Sequence, residues 1–108
     1  MQFSEKLNFL MDITKTTNSA LARYVILDAS YISRLRNGKR QPPNNAAIIS
    51  QMAAYFARNC SEEYQKKAVG DALALNQFPK DVLALTNSIS IWLLAEKDNT
   101  QELVAKFL

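Results

Sequence analysis

Arg34, Arg36, Lys39 and Arg40 put four cations within one short stretch, with Ser30, Ser33 and Asn37 among them. Guanidinium forks, hydroxyls and amides gathered in this way are the groups that grip phosphate oxygens and read base edges. Their spacing gives them a direction. Ser30, Ser33, Arg34 and Asn37 follow i, i+3, i+4, i+7, so a helix through them carries one polar stripe. Ile32 and Leu35, spaced i, i+3, point to the other side. Gly38 suits the left-handed residue just past a helix end, and Pro42-Pro43 stops any continuation. A solvated amphipathic helix with a C-cap has the same pattern, so the segment alone fits both readings.

Catalytic chemistry has no comparable cluster. The chain contains no His, which removes the commonest general base and metal ligand. Cys60 is the single cysteine, so it has neither a His to activate it nor partners for a zinc site. With only Gly38 and Gly70 there is no glycine-rich phosphate loop. Glu62-Glu63 reads as helix-start charge rather than as an acid/base pair. No enzymatic role, cofactor or metal is expected.

Charge is divided unevenly. The first 60 residues hold eight Lys/Arg against three Asp/Glu, and the remainder holds five against seven. The basic excess therefore belongs to the half with the cationic stretch, as expected of a surface that meets phosphates. A lone thiol suits a reducing cytoplasm. Met1 leads into Glu5 and Lys6 rather than into a basic stretch and an apolar run, so no export signal is expected. The longest apolar stretch, Ile91–Ala95, is far too short to span a bilayer.

Elements that hold the cationic stretch are readable on both sides of it. Few Gly and Pro, and many Ala, Leu, Lys and Asn, argue for an all-α chain. Phe3, Leu7, Leu10 and Met11 form the stripe of a first helix, capped by Ser4 or Gln2. Thr17 is a candidate N-cap for a second, with Leu21, Ala22 and Val25 inward. Leu27 is an apolar plug in the connection, and Asp28 is a candidate N-cap for the helix of Ile32 and Leu35. A fourth helix starts at Asn44 or Asn45 and turns Ile49, Met52, Ala53 and Phe56 inward. Helix, short turn and helix with these apolar positions form a helix-turn-helix pattern.

At this point the chain resembles the DNA-binding domain of the lambda-repressor-like group, the Cro/cI or xenobiotic-response-element type, over about residues 3–59. The resemblance rests on Leu21-Ala22, on Leu27, Ile32 and Leu35, and on the run from Ile32 to Arg40 followed by Pro42. The family has Gly in the turn where this chain has Ile26. A β-branched residue at positive φ costs about 1–2 kcal/mol. The expectation is therefore either a different turn backbone or a longer second helix.

The second half, 61–108, is expected to add about three helices to the lambda-repressor-like bundle of 1–60. Ser61 is the expected cap of the first, with Tyr64, Ala68, Ala72 and Leu75 buried and a break at Phe78-Pro79. The next runs from about 80 to 96. Val82, Leu85, Ile89 and Trp92 make its stripe, while Leu83, Ile91 and Leu94 widen its apolar surface. Asn99 and Glu102 make a capping box for a last helix. The extra apolar surface needs a cover, which is the first four helices, the last helix or another subunit.

The resemblance implies that helix 29–37 enters the major groove of double-stranded DNA. Ala29, Ser30, Ser33 and Arg34 then face base edges, with Arg34 matched to guanine O6 and N7. Thr17, Asn18 and Ser19 offer free amides and hydroxyls to phosphate. Asn37, Lys39 and Arg40 grip the backbone, and Arg36 joins them if it faces outward. The expected protein is a cytoplasmic, sequence-specific regulator. It acts as a homodimer through Leu83, Ile91, Trp92 and Leu94. The other function class is an adaptor or antitoxin-like module that uses residues 80–108 and keeps the helix-turn-helix as a scaffold.

Overall fold

The computed structural model describes residues 1–95. All regular elements among the described residues are α-helices: α1 Phe3–Ile13, α2 Asn18–Val25, α3 Ala29–Arg36, α4 Ala46–Arg58, α5 Glu63–Ala72 and α6 Val82–Leu94. Short polar side chains start several of them by accepting first-turn amides that have no intrahelical carbonyl. Thr17 Oγ1 accepts from the N–H of Ala20 at 3.1 Å, Asn45 Oδ1 from Ala47 at 2.9 Å, and Asp81 Oδ1 from Ala84 at 2.8 Å. Gln2 is the N-cap of α1, and Glu5 accepts its backbone N–H at 2.9 Å.

Four helices end in the same way, and only one of them uses glycine. Lys15, Ile26, Gly38 and Ala74 have φ between 55° and 78°. In each case the next residue's N–H reaches back five positions: Thr16 to Met11, Leu27 to Ala22, Lys39 to Arg34 and Leu75 to Gly70, at 2.8–3.0 Å. This closure satisfies carbonyls that the helix leaves free. It also corrects the expectation for the turn after α2. Val25 ends that helix, and Ile26 itself takes the left-handed conformation at φ 57° and ψ 55°. Ile26 is 88% exposed, so packing does not repay its strain. Ile26→Gly should therefore stabilise the fold by about 0.5–1 kcal/mol. The roughly 1–2 kcal/mol of left-handed strain is relieved, offset by the roughly 0.5–1 kcal/mol that glycine's unfolded freedom costs. The urea midpoint measures this, and an unchanged or lower midpoint would show that the strain at Ile26 does not exceed the cost of glycine's unfolded freedom.

The core is continuous. Leu7, Leu10 and Met11 of α1 meet Leu21 and Val25 of α2, Ile32 and Leu35 of α3, and Met52 and Phe56 of α4. Val69 of α5 and Leu85, Ile89 and Leu93 of α6 belong to the same cluster. Residue 60 is thus a division of charge and not of core. α6 lies mainly along α4 and also touches α1. Lys6 ties this seam. It is buried, and its Nζ donates to the carbonyls of Trp92 at 2.7 Å and Ala95 at 2.8 Å, at the carbonyl-rich end of α6. Burial holds the Lys6 ammonium below the usual lysine range.

Helices α5 and α6 are rotated relative to the expected faces. Glu62, not Ser61, is the N-cap of α5. Gln65 and Val69 face inward, while Tyr64 is exposed. Gln65 imposes this rotation. Its Oε1 accepts the N–H groups of Ser61 and Glu62, and its Nε2 donates to the Ile13 carbonyl at 3.0 Å. The helix also stops at Ala72, short of the expected Leu75, because Ala74 turns left-handed. In α6 the buried line is Leu85, Ile89 and Leu93, with Val82 exposed and Trp92 only half-buried. The expected last helix, with Asn99 and Glu102, lies outside the described residues. Among the described residues no helix is long and apolar enough to cross a membrane.

Candidate nucleic-acid interface

Helix α3 is fastened by its apolar side and by one arginine. Ile32 and Leu35 are fully buried beneath it, while Ser30, Ser33 and Arg34 are exposed and Ala29 is half-buried. The polar stripe expected from the spacing therefore faces solvent. Asn37 caps the helix and is also exposed. Its Oδ1 accepts the N–H of Lys39 at 3.0 Å, which folds the chain tightly at Gly38. The N–H groups of Lys39 and Arg40 both reach the Arg34 carbonyl, at 3.0 and 3.3 Å. Lys39 and Arg40 thus leave the helix end as exposed cations held by their own backbone.

Arg36 does not join them. Its Nε donates to Asn8 Oδ1 at 2.6 Å and its Nη1 to Asn18 Oδ1 at 2.8 Å, and its Nη2 lies 3.5 Å from Asp12 Oδ1. Asn8 Nδ2 returns a hydrogen bond to the Arg36 carbonyl at 2.8 Å. The guanidinium faces inward, where it clamps α3 to α1 and to the start of α2. The condition attached to its phosphate role is not met. Thr17, Asn18 and Ser19 do gather at the start of α2, two of them already engaged, Thr17 by Ala20 and Asn18 by Arg36.

Three contributors were not foreseen in the sequence. Tyr31 lies half-buried on α3, and the Arg40 guanidinium sits over its ring at 5.2 Å, a cation–π geometry that restrains the arginine. Asn8 and Asp12 sit one turn apart on α1, beside its buried line of Leu7, Leu10 and Met11. The stripe of α1 is unbroken, so its spacing gave no signal that an arginine docks there.

Comparison with protein-family models, with curated proteins and with solved structures finds no match to this chain. An open cleft of about 710 Å³ runs between Phe3, Leu35, Arg40, Pro42, Ile49 and Leu93, with Arg40 as the single charged side chain that lines it among the described residues. Among the described residues no His, Cys, Asp or Glu group is arranged to hold a metal ion. Cys60 is buried, and desolvation pushes its thiol up despite the nearby Lys66 charge. This is the environment of an inert core thiol, not of a nucleophile.

The residues expected at a subunit contact separate into two groups. Leu83, Ile91 and Leu94 are exposed on α6, the first two by more than 70%. Trp92 turns away from them. It packs edge-on against Phe9 at 6.0 Å between ring centroids, with the Lys6 ammonium 5.4 Å from its own ring centroid. It belongs to the seam between α1 and α6.

Proposed function

We propose that the chain is a sequence-specific DNA-binding regulator, with α2 and α3 forming a helix-turn-helix of the lambda-repressor-like kind and α3 entering the major groove. One observation carries this reading. The exposed side of α3 consists of Ser30, Ser33 and Arg34, and Lys39 and Arg40 extend directly beyond it. Arg34 is the exposed cation of that stripe, and its fork fits guanine O6 and N7. Lys39 and Arg40 flank it for phosphate, with Asn37 and the first turn of α2 as neutral contacts. Arg36 has a positioning role, since it fixes the start of α2 relative to α3.

The test compares two exposed cations with different tasks. Arg34→Ala should cost about 1–3 kcal/mol of binding and relax preference at one base pair. Lys39→Ala should weaken matched and mismatched duplexes alike and make binding less sensitive to salt. Fluorescence anisotropy on a selected site and on its point-mutated versions separates the two. Equal losses on every duplex for both variants would remove Arg34 as a base reader. No binding to any duplex at low salt would leave the adaptor reading, which the exposed apolar side of α6 favours.

The regulator reading includes a homodimer. One short helix reads too few base pairs to select a site in a genome, and paired half-sites remedy this. Leu83, Ile91 and Leu94 supply the contact, without Trp92. Helix α6 has no charged residue along its length, so two copies can meet there without desolvating an ion. Leu83→Glu with Ile91→Glu should convert a dimer to a monomer in light scattering and leave the helical circular dichroism unchanged. A wild-type monomer at micromolar concentration would exclude the dimer.

A further inference from the structure

The first 60 residues carry three acidic side chains, and two of them are engaged. Glu5 accepts the Gln2 amide, and Asp12 faces Arg36. The third, Asp28, is exposed and immediately precedes Ala29 and Ser30 at the leading end of α3. It occupies the N-cap position, with φ −80° and ψ 142°, yet its carboxylate makes no capping hydrogen bond. Its backbone carbonyl accepts the N–H groups of Tyr31 and Ile32, so the helix starts without the side chain. A carboxylate without a partner among the described residues is thus held at the tip of the helix whose other exposed groups suit DNA. Phosphates repel it. What a major groove offers a carboxylate is an amino group, and cytosine N4 is the better fit. Adenine N6 lies between two acceptors that repel a carboxylate, its own N7 and the paired thymine O4, whereas cytosine N4 has an acceptor, guanine O6, on one side only.

We propose that Asp28 is a specificity-determining residue whose carboxylate accepts a hydrogen bond from the N4 amino group of one cytosine in the target site. This rests on the DNA-binding reading above and adds a base identity to it. The same carboxylate discourages sliding contacts with phosphate, so it sharpens selection at the expense of non-specific affinity.

The experiment selects bound sites from a random duplex pool with the wild-type chain, Asp28→Asn and Asp28→Ala, each first checked for unchanged helical circular dichroism. The wild-type chain should select a cytosine at one position per half-site. Asp28→Ala should lose about tenfold preference at that position alone, within the range for a good base contact. Asp28→Asn should shift the same position toward adenine, because an amide matches N6 and N7 together. Both variants should bind unrelated duplex more tightly than wild type. A cytosine preference that survives both substitutions, or no position altered by either, would overturn the assignment while the DNA-binding reading stands. Failure of all three chains to select any site would instead remove the reading beneath it.

Discussion

Raising salt from about 50 to about 200 mM should weaken the duplex complex roughly 150-fold. The magnitude follows from which cations are free. Lys39 and Arg40 extend beyond α3, Arg34 is the residue proposed to meet bases, and Arg36 is consumed inside the protein. Two phosphate-neutralising residues in each half of a dimer give about four released counterions and a slope near −3.6 in log K against log salt. If Arg36 also reached phosphate, the slope would steepen to about −5.4 and the loss would exceed roughly a thousandfold. Anisotropy titrations at several salt concentrations distinguish these values. A slope near half the expected one would indicate a single protomer on the duplex. A flat response would remove electrostatic docking on phosphate altogether.

Arg36→Ala should cost about 2–3 kcal/mol of folding stability and lower the thermal midpoint by roughly 10–20 °C. Charge-assisted bonds to Asn8 and Asn18 are lost, and the half-buried Asn8 is left with an unmatched amide oxygen. The contribution from Asp12 is small, because that carboxylate is largely solvated and 3.5 Å away. Asp12→Asn should therefore change stability by no more than about 0.5 kcal/mol, as should Arg34→Ala on its exposed stripe. Arg36→Lys should recover only part of the loss, since an ammonium cannot span the fork from Asn8 to Asn18. Thermal unfolding followed by circular dichroism measures all four. Equal midpoints for wild type and Arg36→Ala would mean that the clamp contributes nothing.

Local spacing carried much of this architecture, and the departures from it have identifiable causes. The inward sets Leu7, Leu10 and Met11, then Ile32 and Leu35, then Ile49, Met52 and Phe56, were legible because helical periodicity and burial agree there. The outward stripe of Ser30, Ser33 and Arg34 was legible as the complement of its buried side. Thr17 and Gly38 were legible because caps are local chemistry. Arg36 was not, because its partners lie on α1 and α2, and no periodicity within α3 reports them. Gln65 overrode an apolar pattern through bonds to Ile13, far away in the chain, and so rotated α5 by one position. Trp92 looked like surplus apolar surface until Phe9 and Lys6 were seen to enclose it. Ile26 shows the opposite case, in which a backbone conformation disfavoured by its own side chain is imposed by the hydrogen bond from Leu27 to Ala22.

The seam between α4 and α6 also sets a timetable. A ribosome delivers α4 long before the helix that covers it. At about 5–20 residues per second, the stretch from Phe56 to Leu93 takes roughly 2–7 s to synthesise. During that interval the nascent chain carries the α4 side that α6 will later cover, and Lys6 lacks the carbonyls of Trp92 and Ala95 that receive its ammonium. Nascent chains stalled before Val82 are thus the form of this protein most prone to stick to one another, and slow translation beyond Arg58 lengthens their exposure.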